Sequence, residues 1–354
     1  MKKACILSID GGGIRGILPG IILSYIENKI IEETGFSDAK IADYFDLVAG
    51  TSTGGILACC LLKNDGKGNN RPQYSAKDAV ELYTKFGGKI FDISFYRKLF
   101  NPFYIFKYKY SAKALEKLLN KYLGDDTLST MVIECMITAY DIEKRETKFF
   151  SKKDASHNHL KDYYIKDICR ATSAAPTYFK PAKIKSLYGN SIALIDGGVF
   201  ANNPAMCAYI EAMKTDFSNT TDKPAYPEIE NIIIVSIGTG GAKKPYHYTD
   251  MDDDGVIGWA MPIVDILMSG NAETMSYMLN KIYNDTPHHY FRLDPALIDA
   301  NDKMDDASDS NIENLINDAK TYVTANQALL DKIVKLLIDN NKNQNSSSRK
   351  AITE

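Results

Sequence analysis

The chain has 354 residues, 45% apolar and 25% charged, the make-up of a globular protein with a sizeable core and room for one large α/β domain or two ordinary ones. Its formal net charge of −3 provides no global field to draw it onto nucleic acid, and no uninterrupted apolar stretch approaches the ~20 residues of a membrane span.

The first element is a six-residue apolar run, Ala4 to Ile9, that stops at Asp10. It is too short for a secretory h-region and, with Asp10, reads as a strand over 4–10. A glycine triplet follows and then a helix over 17–33, so Gly11, Gly13 and Gly16 fit G-x-G-x-x-G. A strand at 44–50 leads through Gly50-Thr51-Ser52-Thr53-Gly54 into a helix over 54–63. A strand at 132–141 lies between helices at 113–122 and 165–174. A strand at 192–196 ends in Asp196-Gly197-Gly198 before a helix over 204–215. Strands at 231–237 and 289–293 and helices at 262–283 and 311–339 complete the order. Short apolar runs alternating with amphipathic stretches predict a single α/β domain with a mainly parallel sheet flanked by helices. The polar ending, 341–354, reads as a disordered tail. The domain therefore spans 1–340, with its motifs within 6–204 and a helical completion over 205–340.

Cys5, Cys59, Cys60, Cys135, Cys169 and Cys207 sit in apolar runs without C-x-x-C spacing, which predicts reduced thiols and a cytoplasmic protein. Asp250, Asp252, Asp254 and Gly255 match the first half of an EF-hand loop, but Met261 stands where the bidentate Glu belongs, so the stretch reads as a solvated turn.

The segment 50–54 fits the nucleophile elbow G-x-S-x-G, in which a serine at a tight strand-to-helix turn is exposed above the sheet. Flanking residues without Cβ atoms allow the close approach. A helix-capping Ser/Thr turn is the plainer reading of the same letters. A nucleophilic serine needs a base. Of the five histidines, His288 and His289 come late enough for a Ser–Asp–His order, but their setting reads as a strand entrance. Asp196, at the end of a strand, is better placed. It could take a seryl proton only in direct contact with the hydroxyl, in a pocket dry enough to raise its proton affinity.

The glycine loop then has two readings. A nucleotide-binding unit would carry an acidic residue at the end of its second strand, where this chain has Ala49-Gly50 leading to Ser52. Alternatively, the amides of Gly11, Gly12 and Gly13 hold an acyl-transfer oxyanion, with Arg15 adding positive charge toward the oxyanion or a substrate phosphate. The company of two other acyl-transfer motifs favours the second reading.

With DGGGIRG at 10–16, GTSTGG at 50–55 and IDGG at 195–198, the chain resembles the patatin-like phospholipase family. The runs DICRATSAAPTYF (167–179), VSIGTG (235–240) and MDDAS (304–308) extend the resemblance to about residue 330. It implies a three-layer α/β/α fold and a histidine-free dyad, with Ser52 as nucleophile and Asp196 as base. It further implies an oxyanion hole from Gly11, Gly12 and Gly13 beside Arg15, no metal or cofactor, and hydrolysis of fatty acyl esters of polar lipids. A Ser–Asp–His esterase and a nucleotide-binding module are the rival expectations.

Residues 91–110 hold nine aromatics with Arg97, Lys98, Lys107 and Lys109 interleaved. That composition suits a headgroup boundary, and a lid folded onto the core or a stacking surface for single-stranded nucleic acid would show it too. A phospholipid membrane surface, met peripherally, is the expected partner, with no nucleic acid. A homodimer and a controlling ligand or protein are further expectations, because an unrestrained phospholipase would attack its own cell.

Overall fold

The computed structural model describes residues 2–91, 108–189, 191–218, 223–241, 245–248, 255–286 and 288–341. In chain order the elements begin with β1 (Ala4–Ile9), α1 (Ile17–Thr34), β2 (Leu47–Gly50), α2 (Thr53–Leu62), α3 (Ala76–Ile90) and α4 (Lys113–Leu123). Next come β3 (Glu134–Asp141), β4 (Glu146–Ser151), α5 (Lys152–His157), α6 (Ile165–Thr172), β5 (Ala182–Lys185), β6 (Ser191–Asp196), α7 (Gly198–Ala201) and α8 (Ala205–Met213). The chain continues with β7 (Ile232–Ile237), α9 (Val256–Ile282), β8 (Tyr290–Leu293), α10 (Asp309–Ala325) and α11 (Gln327–Asn341).

Side chains of a strand alternate between its two faces, and the alternation here separates two cores. Cys5, Leu7 and Ile9 of β1, Val48 of β2 and Ile233, Val235 and Ile237 of β7 join one cluster with residues of α1, α2, α3, α10 and α11. Ala4, Ile6, Leu47, Ala49, Ile232 and Ile234 join a second cluster with α8 and the end of α9. A sheet buried on both faces between helices is a three-layer α/β/α fold, and it explains why its strands read as continuous apolar runs.

The sheet order is β5-β6-β3-β2-β1-β7-β8, with β4 also paired to β3. β1, β2, β3, β7 and β8 are parallel, whereas β4, β5 and β6 join antiparallel. The path of the chain reverses direction at β1, which has β2 on one side and β7 on the other. Its C-terminal end is therefore a topological switch point, where α/β sheets open a crevice.

Several elements differ from the sequence expectation. β6 is antiparallel to β3, because the short connection from β5 makes a hairpin, and strand direction leaves no mark in periodicity. β4 and β5 are short strands, β5 with exposed Lys183 and Lys185, and were not expected. Nor was α3, although Ser75 and Asp78 form a capping box at its start. α9 begins at Val256, so Pro262, which reads as a helix start, lies inside the helix. The expected helix over 311–339 is two helices, broken at Asn326. The polar tail from 342 and the acidic stretch 249–254 lie outside the described residues. Among those described, no helix is long and apolar enough to cross a membrane.

Candidate active site

Ser52 stands between β2 and α2 with φ 54° and ψ −120°, a backbone conformation that a side chain rarely adopts. Such a residue costs on the order of 1–3 kcal/mol and persists only where its surroundings over-determine it. They do so here. The Ser52 amide donates to Thr172 Oγ1 at 2.8 Å, and the Gly54 amide donates to the Thr51 carbonyl at 2.8 Å. A Cβ on Gly50 would be driven into the Gly54 backbone, and one on Gly54 into the Ile9 carbonyl. The two glycines of the elbow are thus required by close backbone approach.

The pairing of β3 explains how Asp196 reaches this turn. β4 covers Met136 to Asp141 along one edge of β3. β2 and β6 must therefore share the other edge. β2 runs up to Gly50 opposite Ile137, and β6 runs down to Asp196 opposite Ala139. The two chain ends meet head to head, two β3 positions or ~7 Å apart.

The Asp196 carboxyl is 1% exposed. Its Oδ1 accepts the Gly198 amide at 2.7 Å, while its Oδ2 is buried without a hydrogen-bond partner. Burial pushes its pKa up to about 7, against the pull of the Ser52 hydroxyl and the Gly198 amide. An aspartate so placed is half ionised near neutrality, the condition for a general base.

The glycine loop closes the site from β1. A Cβ on Gly11 would come within 3.2 Å of Ser52 Cβ, so the loop backbone lies directly against the serine. The Gly11 amide donates to the Asn202 carbonyl at 3.1 Å. This corrects the expectation of three free amides: among the described residues only those of Gly12 and Gly13 have no hydrogen-bond acceptor. Gly13 has φ +60°, and the Met304 carbonyl sits where its side chain would go. The Ile14 amide donates to that same carbonyl at 2.8 Å. Thr239 Oγ1 donates to the Gly11 carbonyl at 2.7 Å and fills the space beside Gly12. Arg15 is half buried, with Nε 3.4 Å from the Gly12 carbonyl.

Asp10, which opens the glycine motif, is held by Arg292 of β8 through contacts of 3.0 and 2.7 Å. Its partner lies far along the chain and carries no motif of its own, so sequence reasoning missed it. The run 167–179 also gains a physical account. Thr172 holds the Ser52 amide, the Ala174 carbonyl accepts the Asp196 amide at 3.1 Å, and Tyr178 and Phe179 line the pocket.

That pocket is lined by Ser52, Asp196 and Gly13. Apolar side chains that include Ile56, Leu82, Leu115, Phe179 and Met268 form the rest of its wall. None of the five histidines lines it. His288 and His289 precede β8 at the N-terminal edge of the parallel strands, where His289 Nε2 is 2.5 Å from Lys3 Nζ and His288 Nδ1 is 3.0 Å from Lys332 Nζ. Ser52 lies beyond the opposite, C-terminal edge. The Ser–Asp–His expectation fails on this geometry. Ser52, Thr239 and Met304 stand against the glycine loop where Cβ atoms on Gly11, Gly12 and Gly13 would lie, and the pocket that Gly13 lines is walled by apolar side chains. Of the aromatic and basic stretch 91–110, residues 92–107 lie outside the described residues.

A family profile described as "Patatin-like phospholipase" matches residues 7–209, from within β1 past Asp196. The chain belongs to the patatin-like phospholipase family. It is 35% identical over 331 residues to patatin-like protein 1 of Arabidopsis thaliana, covering 88% of this chain and 79% of that protein. Patatin-03 of Solanum tuberosum is 31% identical over 370 residues, covering 96% and 91% of the two chains. A third relative, named "Probable inactive patatin-3-Kuras 1" and also from Solanum tuberosum, is 30% identical over 369 residues, covering 96% and 94%. Patatin-like proteins are generally lipid acyl hydrolases, yet that last name shows that membership alone does not decide activity. The geometry around Ser52 has to carry the argument.

Proposed function

We propose that this patatin-like protein hydrolyses fatty acyl esters of membrane glycerophospholipids, as a phospholipase A or lysophospholipase. The reading rests on one observation: an elbow serine and an aspartate with an unpartnered carboxylate oxygen stand at the end of an apolar pocket. Ser52 Oγ attacks the ester carbonyl while Asp196 takes the hydroxyl proton. The carbonyl oxygen becomes an oxyanion, held by the Gly12 and Gly13 amides with Arg15 alongside. When the tetrahedral species collapses, Asp196 returns the proton to the leaving alcohol, and Ser52 keeps the acyl chain as an ester. Water then attacks that ester, Asp196 takes its proton and passes it to Ser52, and the free fatty acid leaves. The apolar wall offers the acyl chain a dry channel. Every step uses groups already in place, without a metal or cofactor. The test is covalent labelling: a fluorophosphonate probe should modify the protein at Ser52 and leave Ser52→Ala unmodified, and an unlabelled wild-type protein would remove the reading.

The lipid must come from a bilayer, and the outer face of α9 offers a surface for it. Trp259, Ile263, Ile266 and Leu267 are exposed at helical spacing, and Leu267 adjoins Met268 of the pocket wall. Between Trp259 and Leu267 the one charged residue is Asp265. Docking through this stripe would therefore be apolar and little affected by salt. Replacing Ile263 and Leu267 together by glutamate should weaken co-sedimentation with phosphatidylcholine vesicles by about tenfold or more, given ~25 cal/mol per Å² of apolar surface buried. Undiminished co-sedimentation of the double variant would exclude α9 as the docking face.

A further inference from the structure

Beside the pocket stand two opposite charges, Arg15 and Asp265, that form no ion pair with one another among the described residues. Arg15 follows the pocket-lining Gly13 by two residues, and among the described residues its guanidinium makes a single, long hydrogen bond, to the Gly12 carbonyl at 3.4 Å. Asp265 stands one helical turn before Met268 on α9, and Met268 lines the pocket, so Asp265 belongs to its rim. The charges of Asp265, Asp302 and Asp294 all reach Arg15. Nevertheless no ion pair joins Arg15 and Asp265 among the described residues. Two tyrosines belong to the same rim. Tyr246 donates its hydroxyl to Asp265 Oδ2 at 3.1 Å, and Tyr178 lines the pocket within the field of both Arg15 and Asp265. The neighbouring charges are already engaged: Asp294 pairs with Arg292 at 3.3 Å and Asp305 pairs with Lys109.

Building on the hydrolase reading above, we propose that this rim is a headgroup subsite for zwitterionic glycerophospholipids, with the phosphate on Arg15 and the ammonium end on Asp265 beside Tyr178 and Tyr246. An arginine and a carboxylate that sense each other across a gap fit a ligand carrying both charges in the complementary order. Aromatic rings add attraction for a quaternary or primary ammonium. A phospholipid with a phosphate but no cation engages Arg15 alone and leaves Asp265 facing a negative ligand.

The experiment uses short-chain lipids dispersed as monomers, so that docking to a surface plays no part. Fatty acid release is measured from dihexanoyl-phosphatidylcholine and dihexanoyl-phosphatidylglycerol, with a nitrophenyl ester as a third substrate. The wild-type protein should favour the choline lipid by about fivefold in kcat/KM, the upper end for an exposed ion pair, with the difference in KM. Asp265→Asn should bring the ratio to about one, and Asp265→Lys should invert it. The ratio is taken on one preparation, so a partly misfolded variant does not alter it. Equal use of the two lipids by the wild type, or a ratio unmoved by either variant, would overturn the subsite and leave the hydrolase reading standing. Failure to cleave all three esters would overturn both.

Discussion

Asp196→Asn is expected to lower fatty acid release by about 10³–10⁴-fold and to raise the unfolding midpoint of the same protein at pH 8. The first effect is the removal of the proposed base, whose usual contribution is ~10²–10⁴-fold, from a pocket that no histidine lines. The second follows from linkage. Asp196 is 1% exposed, and burial raises its pKa from 3.8 to about 7. A carboxyl whose folded pKa lies above its unfolded value holds its proton better in the folded state. The wild type therefore loses stability as pH rises from about 4 through about 7, at ~1.4 kcal/mol per unit. Asparagine has no charge to bury and avoids that loss, so its advantage is largest above pH 7 and vanishes near pH 4. Activity runs the other way, because the base must be ionised: kcat/KM should rise about tenfold per unit up to pH 7 and level off above it. A limb at that position would ordinarily be assigned to histidine, and the variant decides the matter. An Asp196→Asn protein that kept more than about a tenth of the activity, or that gained nothing in stability at pH 8, would contradict the assignment.

The same pair shows what a sequence can and cannot disclose. Ser52 and the glycine loop are legible because their requirements are local: close backbone approach forces Gly50, Gly54 and Gly13, and glycines are visible as letters. Asp196 is legible as the end of an apolar run, but its meeting with Ser52 is not. That depends on β2 and β6 sharing one edge of β3 from opposite directions, and nothing in either strand encodes direction. The six strands expected from apolar runs are present because both faces of the sheet are buried. β5 was missed because its lysines alternate with buried residues at the sheet's edge, where a four-residue pattern is too short to stand out. The supports of the site are distant in sequence: Thr172, Asn202, Thr239, Arg292 and Met304 each matter through long-range contacts, which no motif spacing predicts.

Arg292 carries the heaviest structural load among those distant residues, and Arg292→Met should lower stability by about 3–5 kcal/mol. Asp10 is 2% exposed, and the side-chain hydrogen bonds it accepts among the described residues both come from this guanidinium, which also donates to Ser236 Oγ at 2.9 Å. Burial pushes Asp10 up to about 6 even with Arg292 beside it. Without the arginine its carboxylate would be a buried charge with no partner, and its pKa would climb further. By the sign rule above, a carboxyl with a raised folded pKa costs stability as pH rises through that value. The deficit of Arg292→Met should therefore be full at pH 8, a fall of about 10 °C in the unfolding midpoint, and should shrink toward pH 5 as Asp10 takes up a proton. Arg292→Met combined with Asp10→Asn should recover most of the loss at pH 8, since an uncharged amide replaces the stranded charge. Asp10 precedes the glycines proposed to hold the oxyanion, so the single variant should also lose activity below its unfolding temperature. A deficit that is the same at pH 5 and pH 8, or that the second substitution deepens, would mean that Arg292 acts through packing and not through the charge it neutralises.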